Sequence, residues 1–200
     1  MADIGIMGGT FDPIHQAHLI IAEQARIALN LDKVWFLPSG NPPHKTKREI
    51  TDKKIRCEMV KVAISDNPYF ELCDYEINKE EYSYTAKTLE YLKSENCNDN
   101  FYLIIGEDSL AYLEKWYKPE IIVKLACIAV YGRGENSKLD YEIKRIKNLL
   151  GADIKKIEAP LVDLSSTAIR ESVKNKQSVK YQLPDSVIEI INREKLYLQE

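Results

Sequence analysis

Short apolar runs alternate with amphipathic stretches along most of the chain, and this alternation constrains the fold more than any single residue. Residues 4–7 (Ile-Gly-Ile-Met) read as a buried strand, 34–37 (Val-Trp-Phe-Leu) as a second strand stopped by Pro38, and 101–105 (Phe-Tyr-Leu-Ile-Ile) as the clearest of all. Residues 69–73, 127–131 and 154–157 add three more. Helical spacing fills the gaps. One helix covers 19–29 and stops near Asn30. Another is capped by Thr51 and carries Ile55, Met59, Val62 and Ala63, and a third starts at Ser83 to Thr85 with Leu89 and Leu92. A fourth opens at Lys118-Pro119-Glu120 with proline in its first position, and a fifth covers 137–150. After the last strand, helices start at Ser165-Ser166-Thr167 and at Leu183-Pro184-Asp185. Strands spaced by helices make parallel βαβ units, so the expected fold is α/β: a doubly wound parallel sheet with helices on both faces and a small C-terminal helical part. Ligands of such sheets bind beyond the carboxyl ends of the strands, where turns at Gly8-Gly9, Gly106 and Gly132-Arg133 and a polar loop over 38–48 would gather.

Bulk properties exclude several classes. Two hundred residues with 44% hydrophobic and 30% charged content suit one domain with a sizeable core. With 28 basic against 31 acidic residues the net charge is −3, so no global basic field points to nucleic acid. No apolar run approaches a membrane span, and the N-terminus enters a strand without a charged leader; a cytoplasmic protein is expected. Cys57, Cys73, Cys97 and Cys127 form no CxxC pair and read as free structural thiols.

The first strand and helix enclose the richest chemistry: Gly8-Gly9-Thr10-Phe11-Asp12-Pro13-Ile14-His15-Gln16-Ala17-His18. Paired glycines allow a sharp turn and bring bare backbone to a ligand, and a helix start adds free N–H groups and the positive dipole end, a combination suited to phosphate. His15 and His18, three apart, fall on one face of the first helical turn. The glycines match neither GxGxxG nor a Walker A loop, which removes support for hydride transfer and P-loop hydrolysis. Only one further histidine, His44, exists and no cysteine is near, so no metal site on the protein is expected.

The string GGTFDPIHxxH, together with Ser165-Ser166-Thr167-Ala168-Ile169-Arg170, resembles the nucleotidyltransferase superfamily with the (H/T)xGH signature, and specifically the bacterial nicotinate-mononucleotide adenylyltransferases. Asn41-Pro42-Pro43-His44-Lys45 resembles that family's PPHK loop, Ser83-Tyr84-Thr85 with Thr88-Leu89 its SYTxxTL helix start, and Gly106-Glu107-Asp108-Ser109-Leu110 its GxDSL turn. Trp116, Arg133, Leu183-Pro184 and Leu196-Tyr197 fall where the family has similar residues. The resemblance implies one Rossmann-like nucleotidyltransferase domain over 1–200, with the core in 1–160 and C-terminal helices in 161–200. It also implies adenylyl transfer from ATP to nicotinate mononucleotide. Small-molecule substrates are expected, with no nucleic-acid or membrane partner, and a homo-oligomer is left open. Two departures stand out: Ala17 replaces the usual glycine, and Lys87 an acidic residue.

The chemistry agrees with the residue types. A phosphate monoester is largely dianionic at neutral pH, its second pKa being about 6, so its attack on the α-phosphorus of ATP requires no general base. What it requires is positioning of two anions and stabilisation of charge at phosphorus and on pyrophosphate. As the resemblance implies, His15, His18, Lys45 and Arg170 would be catalytic. Gly8, Gly9, Thr10, Phe11, His18, Gly106, Asp108, Ser165, Ser166, Thr167 and Arg170 would bind ATP. Thr10, His44, Lys45, Tyr84, Thr85, Trp116 and Arg133 would bind the acceptor. Mg²⁺ would be held mainly by substrate phosphates and water. Between anions the histidines should gain proton affinity above about 6.5. Blander uses exist for several of these: Ser165 to Thr167 as a helix cap, Arg170 in a surface ion pair, Trp116 and Trp35 in the core, Asp12 shaping its turn and Asp108 capping a helix. Pantetheine-phosphate adenylyltransferases are shorter and lack the PPHK, SYT and tryptophan features, and a glycerol-phosphate cytidylyltransferase would close on a different motif. A silent nucleotide-binding module would not need His15, His18 and Arg170.

Overall fold

A computed structural model describes residues 1–42, 50–132, 138–160 and 162–198. The expectations for His44, Lys45 and Arg133 lie outside those residues, as does most of the loop over 38–48. The described residues form one six-stranded sheet: β1 (Asp3–Gly9), β2 (Lys33–Pro38), β3 (Phe70–Leu72), β4 (Asn100–Gly106), β5 (Ala126–Tyr131) and β6 (Ile154–Ile157). Its order is β3-β2-β1-β4-β5-β6 and every neighbouring pair is parallel. This is the doubly wound arrangement expected from the alternation, and its order reverses between β1 and β4, where a crevice opens at the carboxyl ends.

Eight α-helices are described: α1 (Gln16–Leu29), α2 (Lys53–Ala63), α3 (Thr85–Glu95), α4 (Glu107–Ala111), α5 (Pro119–Leu125), α6 (Leu139–Leu150), α7 (Ser166–Lys174) and α8 (Asp185–Arg193). They divide cleanly between the two faces. Ile21, Ala22 and Ala25 of α1, Met59 and Val60 of α2, Ile169 of α7 and Val187, Ile190 and Ile191 of α8 pack in one cluster with Val34 and Phe36. Leu89 and Leu92 of α3, Leu110 of α4, Ile122 of α5 and Leu139 and Ile146 of α6 pack on the other side with Ile4, Ile6, Leu103 and Ile105. Ile104 belongs to the first cluster and its neighbours Leu103 and Ile105 to the second, the period-two alternation of a strand buried on both faces.

Local departures from expectation have identifiable causes. Asp52, not Thr51, caps α2, because its carboxylate accepts from the Lys54 amide at 2.8 Å. The buried face of α2 is Arg56, Met59, Val60 and Ala63 rather than the stripe through Ile55 and Val62. Gly8 and Gly9 do not form the turn: they are the last residues of β1, opposite Leu37 and Pro38, and the chain turns at Phe11, whose φ is +50°. α1 starts earlier than expected, at Gln16. Trp35 is only half-buried, its indole N–H donating to Glu71 at 2.9 Å. Proline does open α5, and no described helix is long and apolar enough to cross a membrane.

Candidate active site

The end of β1 presents bare backbone. Gly8 is exposed, and a Cβ there would meet nothing within 4 Å, so a ligand can lie directly against the strand. Gly9 is covered on one side by the Phe11 ring, which a Cβ would approach to 3.0 Å. Phe11 also meets His18 edge-on at 5.1 Å. His15 caps α1 and His18 lies three residues in; their rings stack at 3.7 Å with 27° between planes.

A backbone hydrogen bond fixes the tautomer of His18. The His15 backbone N–H donates to His18 Nδ1 at 3.2 Å, so in the neutral ring the hydrogen sits on Nε2, ready to be given to an oxyanion. Burial first, and the neighbouring His15 second, hold the proton affinity of His18 well below the usual imidazole range. The expected rise belongs to a site filled with anions; in the protein alone the shift has the opposite sign, set by desolvation and His15. The unfolded chain takes a proton on this residue near about pH 6.5 and the folded chain resists it, so folding loses stability as pH falls below that value. Denaturant unfolding should therefore show a larger loss between pH 7 and pH 5 in the wild type than in His18→Asn. Equal losses would contradict this.

The C-terminal helices close on the same turn. Ser165 caps α7, its hydroxyl accepting from the Ala168 amide at 3.2 Å, and the Ser166 hydroxyl donates to the Pro13 carbonyl at 2.9 Å. Arg170 donates to the Asp12 carbonyl at 2.7 Å and to Thr167 Oγ1 at 3.1 Å. Ser166 and Arg170 thus reach, across most of the chain length, the Asp12-Pro13 segment that leads into the His15–His18 turn, while the Ser165 hydroxyl is engaged in capping its own helix. Asp12 is 3% exposed and accepts from the Tyr197 hydroxyl at 2.8 Å, in keeping with a turn-shaping role; burial and that carboxylate push the tyrosine's proton affinity up.

Beyond Gly9 a cleft of ≈ 710 Å³ is lined by Thr10, Tyr84, Thr85, Asp108, Trp116 and Tyr117, among others. Trp116 is half-buried against the core and also reaches a smaller hollow of ≈ 120 Å³ beneath Gly8 and Gly9, so its core and cleft uses coexist. Tyr84 packs on Tyr117 at 4.6 Å between ring centroids. Gly106 is the N-cap of α4, where a Cβ would come within 3.2 Å of the Tyr131 ring, and Asp108 is exposed in the first turn of that helix. Ser83 does not cap α3; its hydroxyl accepts from the amides of Gly40 (3.1 Å) and Asn41 (3.3 Å), which fixes the exit of β2.

Arg56 escaped the sequence reading. Its side chain is 1% exposed, and it donates to the carbonyls of Thr10 (2.6 Å), Ser39 (2.7 Å), Gly40 (3.1 Å) and Thr51 (2.9 Å). Burial lowers its proton affinity, and the Asp12 and Asp52 carboxylates oppose that shift. The signal was present: residues 56, 59, 60 and 63 follow i, i+3, i+4, i+7, which puts an arginine on the apolar stripe of α2.

Comparisons with known proteins bear on the family and the fold. The cytidylyltransferase-like family model matches residues 6–172. A probable nicotinate-nucleotide adenylyltransferase of Clostridium kluyveri is 42% identical over 202 residues, covering 98% of this chain and 100% of the relative. Another of Clostridium botulinum (strain Eklund 17B / Type B) is 41% identical with full coverage of both chains. Among solved structures, the Plasmodium falciparum nicotinic acid mononucleotide adenylyltransferase complexed with NaAD superposes with a TM-score of 0.81 at 20% identity over 98% of each chain, a likeness of fold. A putative nicotinate-nucleotide adenylyltransferase from Vibrio parahaemolyticus gives 0.70 at 21% identity, over 100% of this chain and 98% of that one. From the family model's match to residues 6–172 of the chain and from full-length relatives above 40% identity, the chain belongs to the cytidylyltransferase-like family and, within it, to the nicotinate-nucleotide adenylyltransferases.

Proposed function

We propose that this chain transfers the adenylyl group of ATP to nicotinate mononucleotide, forming nicotinate adenine dinucleotide (deamido-NAD) and pyrophosphate, a step of NAD biosynthesis. The observation that carries the reading is the convergence of Gly9, Thr10, Thr85, Asp108 and Trp116 on one cleft, with Gly8 on the adjoining hollow and His18 behind the Phe11 ring that covers Gly9, in a chain whose full-length relatives bear that name. A phosphate oxygen of the mononucleotide attacks the α-phosphorus of ATP; the new P–O bond forms as the bond to the β-phosphate oxygen breaks, and pyrophosphate leaves with the electron pair. Gly8, Gly9 and Thr10 lie along the triphosphate, and Phe11 shields His18 from the side. His15 and His18 donate to the oxygens on which charge builds, and Arg170, one turn into α7, turns from the Asp12 carbonyl toward the β- and γ-phosphates. Ser165, Ser166 and Thr167 bring the N-terminus of α7 to the same anion. Gly106 and Asp108 hold the adenosine ribose. Tyr84, Thr85 and Trp116 receive the pyridine ring, and His44, Lys45 and Arg133 neutralise the acceptor phosphate, a role assigned from their motifs.

The cleft lining offers oxygens from Thr10, Ser39, Ser83, Thr85, Ser109 and Asp108, beside the Lys115 ammonium. That set suits Mg²⁺, an oxygen-seeking ion that keeps several waters and enters on the triphosphate. When bound, it supplies positive charge to the phosphates and the leaving pyrophosphate.

Pyrophosphate release from protein, ATP and Mg²⁺ with each of nicotinate mononucleotide, nicotinamide mononucleotide and phosphopantetheine tests the proposal. Release should be fastest with nicotinate mononucleotide; none with that acceptor would refute it. Trp116→Ala should raise KM for the mononucleotide about tenfold through lost ring stacking and apolar contact, with KM for ATP changed far less. A change confined to ATP would place Trp116 outside the acceptor side.

A further inference from the structure

Two strand ends form one wall of the cleft, and their separation is set by a residue that does not touch it. The pairing of β1 with β2 ends at Gly9 and Pro38, and the Ser39 amide adds one more bond to the Gly9 carbonyl at 2.8 Å. Beyond that point the chains diverge, Thr10 toward the His15–His18 turn and Gly40 toward the loop. Gly9, Thr10, Ser39 and Pro42 all line the cleft. Beneath them the Arg56 guanidinium spans the gap: Nη1 donates to Thr10, Nη2 to both Ser39 and Gly40, and Nε back to Thr51 ahead of its own helix. Asp12, held by the Tyr197 hydroxyl, supplies nearby negative charge.

We propose that Arg56 is a positioning residue for the transfer: by clamping the Thr10, Ser39 and Gly40 carbonyls on one rigid fork, it fixes the spacing between the wall that carries the nucleotide phosphates and the root of the loop on the acceptor side. A planar guanidinium can satisfy carbonyls lying in several fixed directions, whereas a lysine ammonium is a compact charge whose donors radiate from one atom. In-line displacement depends on the reacting atoms being aligned at close range, and a misplacement of about 1 Å costs about 100-fold in rate. Ground-state binding of each substrate relies on its own contacts and tolerates that shift better.

The inference rests on the adenylyltransferase reading, and the two fail differently. The full-length wild type, Arg56→Lys, Arg56→Met and a core control, Ile128→Val, are compared in pyrophosphate release with ATP, Mg²⁺ and nicotinate mononucleotide, each substrate varied in turn, well below the unfolding temperature. Arg56→Met should lose about 100-fold in kcat with both KM values within about threefold, and Arg56→Lys should recover about tenfold of that loss. Ile128→Val should lower the unfolding temperature with kcat unchanged. If Arg56→Met does not fold by circular dichroism, Arg56→Lys decides alone: a kcat about tenfold below wild type supports the clamp, and wild-type kcat overturns it. A loss in Arg56→Met that only tracks its folded fraction also overturns it. No turnover in the wild type would overturn the adenylyltransferase reading itself, and this inference with it.

Discussion

His18→Ala should lower kcat by about 100- to 1000-fold while the fold, followed by far-UV circular dichroism, persists. The magnitude is that of removing one preorganised donor aimed at developing negative charge, a loss of about 3–4 kcal/mol of transition-state stabilisation. The structure supplies the geometry: Nδ1 is engaged by the His15 amide, so Nε2 carries the hydrogen in the neutral ring, and the His15 and Phe11 rings hold the imidazole in place. The structural cost of the substitution is the lost acceptor at the start of α1, about 1 kcal/mol by analogy with other caps. His18→Asn retains an acceptor for that amide, so it should recover stability but not turnover. Unchanged kcat in His18→Ala would remove the residue from the site.

Gly40→Ala should be the most disruptive single-methyl change near the cleft. A Cβ there would lie 2.1 Å from the backbone carbonyl oxygen of Glu76, and no flexible side chain can move to relieve it. The exit of β2 and the segment around Glu76 must separate, which also strains the bonds from the Gly40 and Asn41 amides to Ser83 and from Arg56 to the Gly40 carbonyl. Overpacking against backbone predicts a loss of about 2–3 kcal/mol in denaturant unfolding, together with a lowered kcat, because the Gly40 carbonyl held by Arg56 is displaced. Gly8→Ala is the contrast. With open space at its Cβ, it should leave stability nearly unchanged and act only through substrate binding. Equal stability for Gly40→Ala and wild type would show that the two segments are not held as described.

The sheet was legible because its signal is redundant: six apolar runs, each flanked by helical spacing, admit few arrangements other than parallel crossovers. Residues 154–157, weak by themselves, were still placed because the rhythm required a strand there. Errors arose where one backbone group decided the matter. Asp52 outcompeted Thr51 by reaching the Lys54 amide, and the sharp turn fell on Phe11 because the glycines continued in register with β2. The motif residues could be read at both ends of the chain, and their meeting through Ser166 to Pro13 and Arg170 to Asp12 followed from the fold. Arg56 and Tyr197 were not read as site residues, because their importance lies in backbone carbonyls and a buried carboxylate contributed by distant segments. Nor could the state of His18 be read, since burial, which the sequence does not display, outweighs its intrinsic proton affinity.

The central claim is that the mononucleotide's own phosphate oxygen attacks the α-phosphorus of ATP. Nicotinate mononucleotide labelled with ¹⁸O on its phosphate, incubated with the protein, ATP and Mg²⁺ and followed by mass spectrometry, tests it directly. The account predicts a dinucleotide that retains all of the label and pyrophosphate that carries none. Label in pyrophosphate, or consumption of ATP without a labelled dinucleotide, would contradict it.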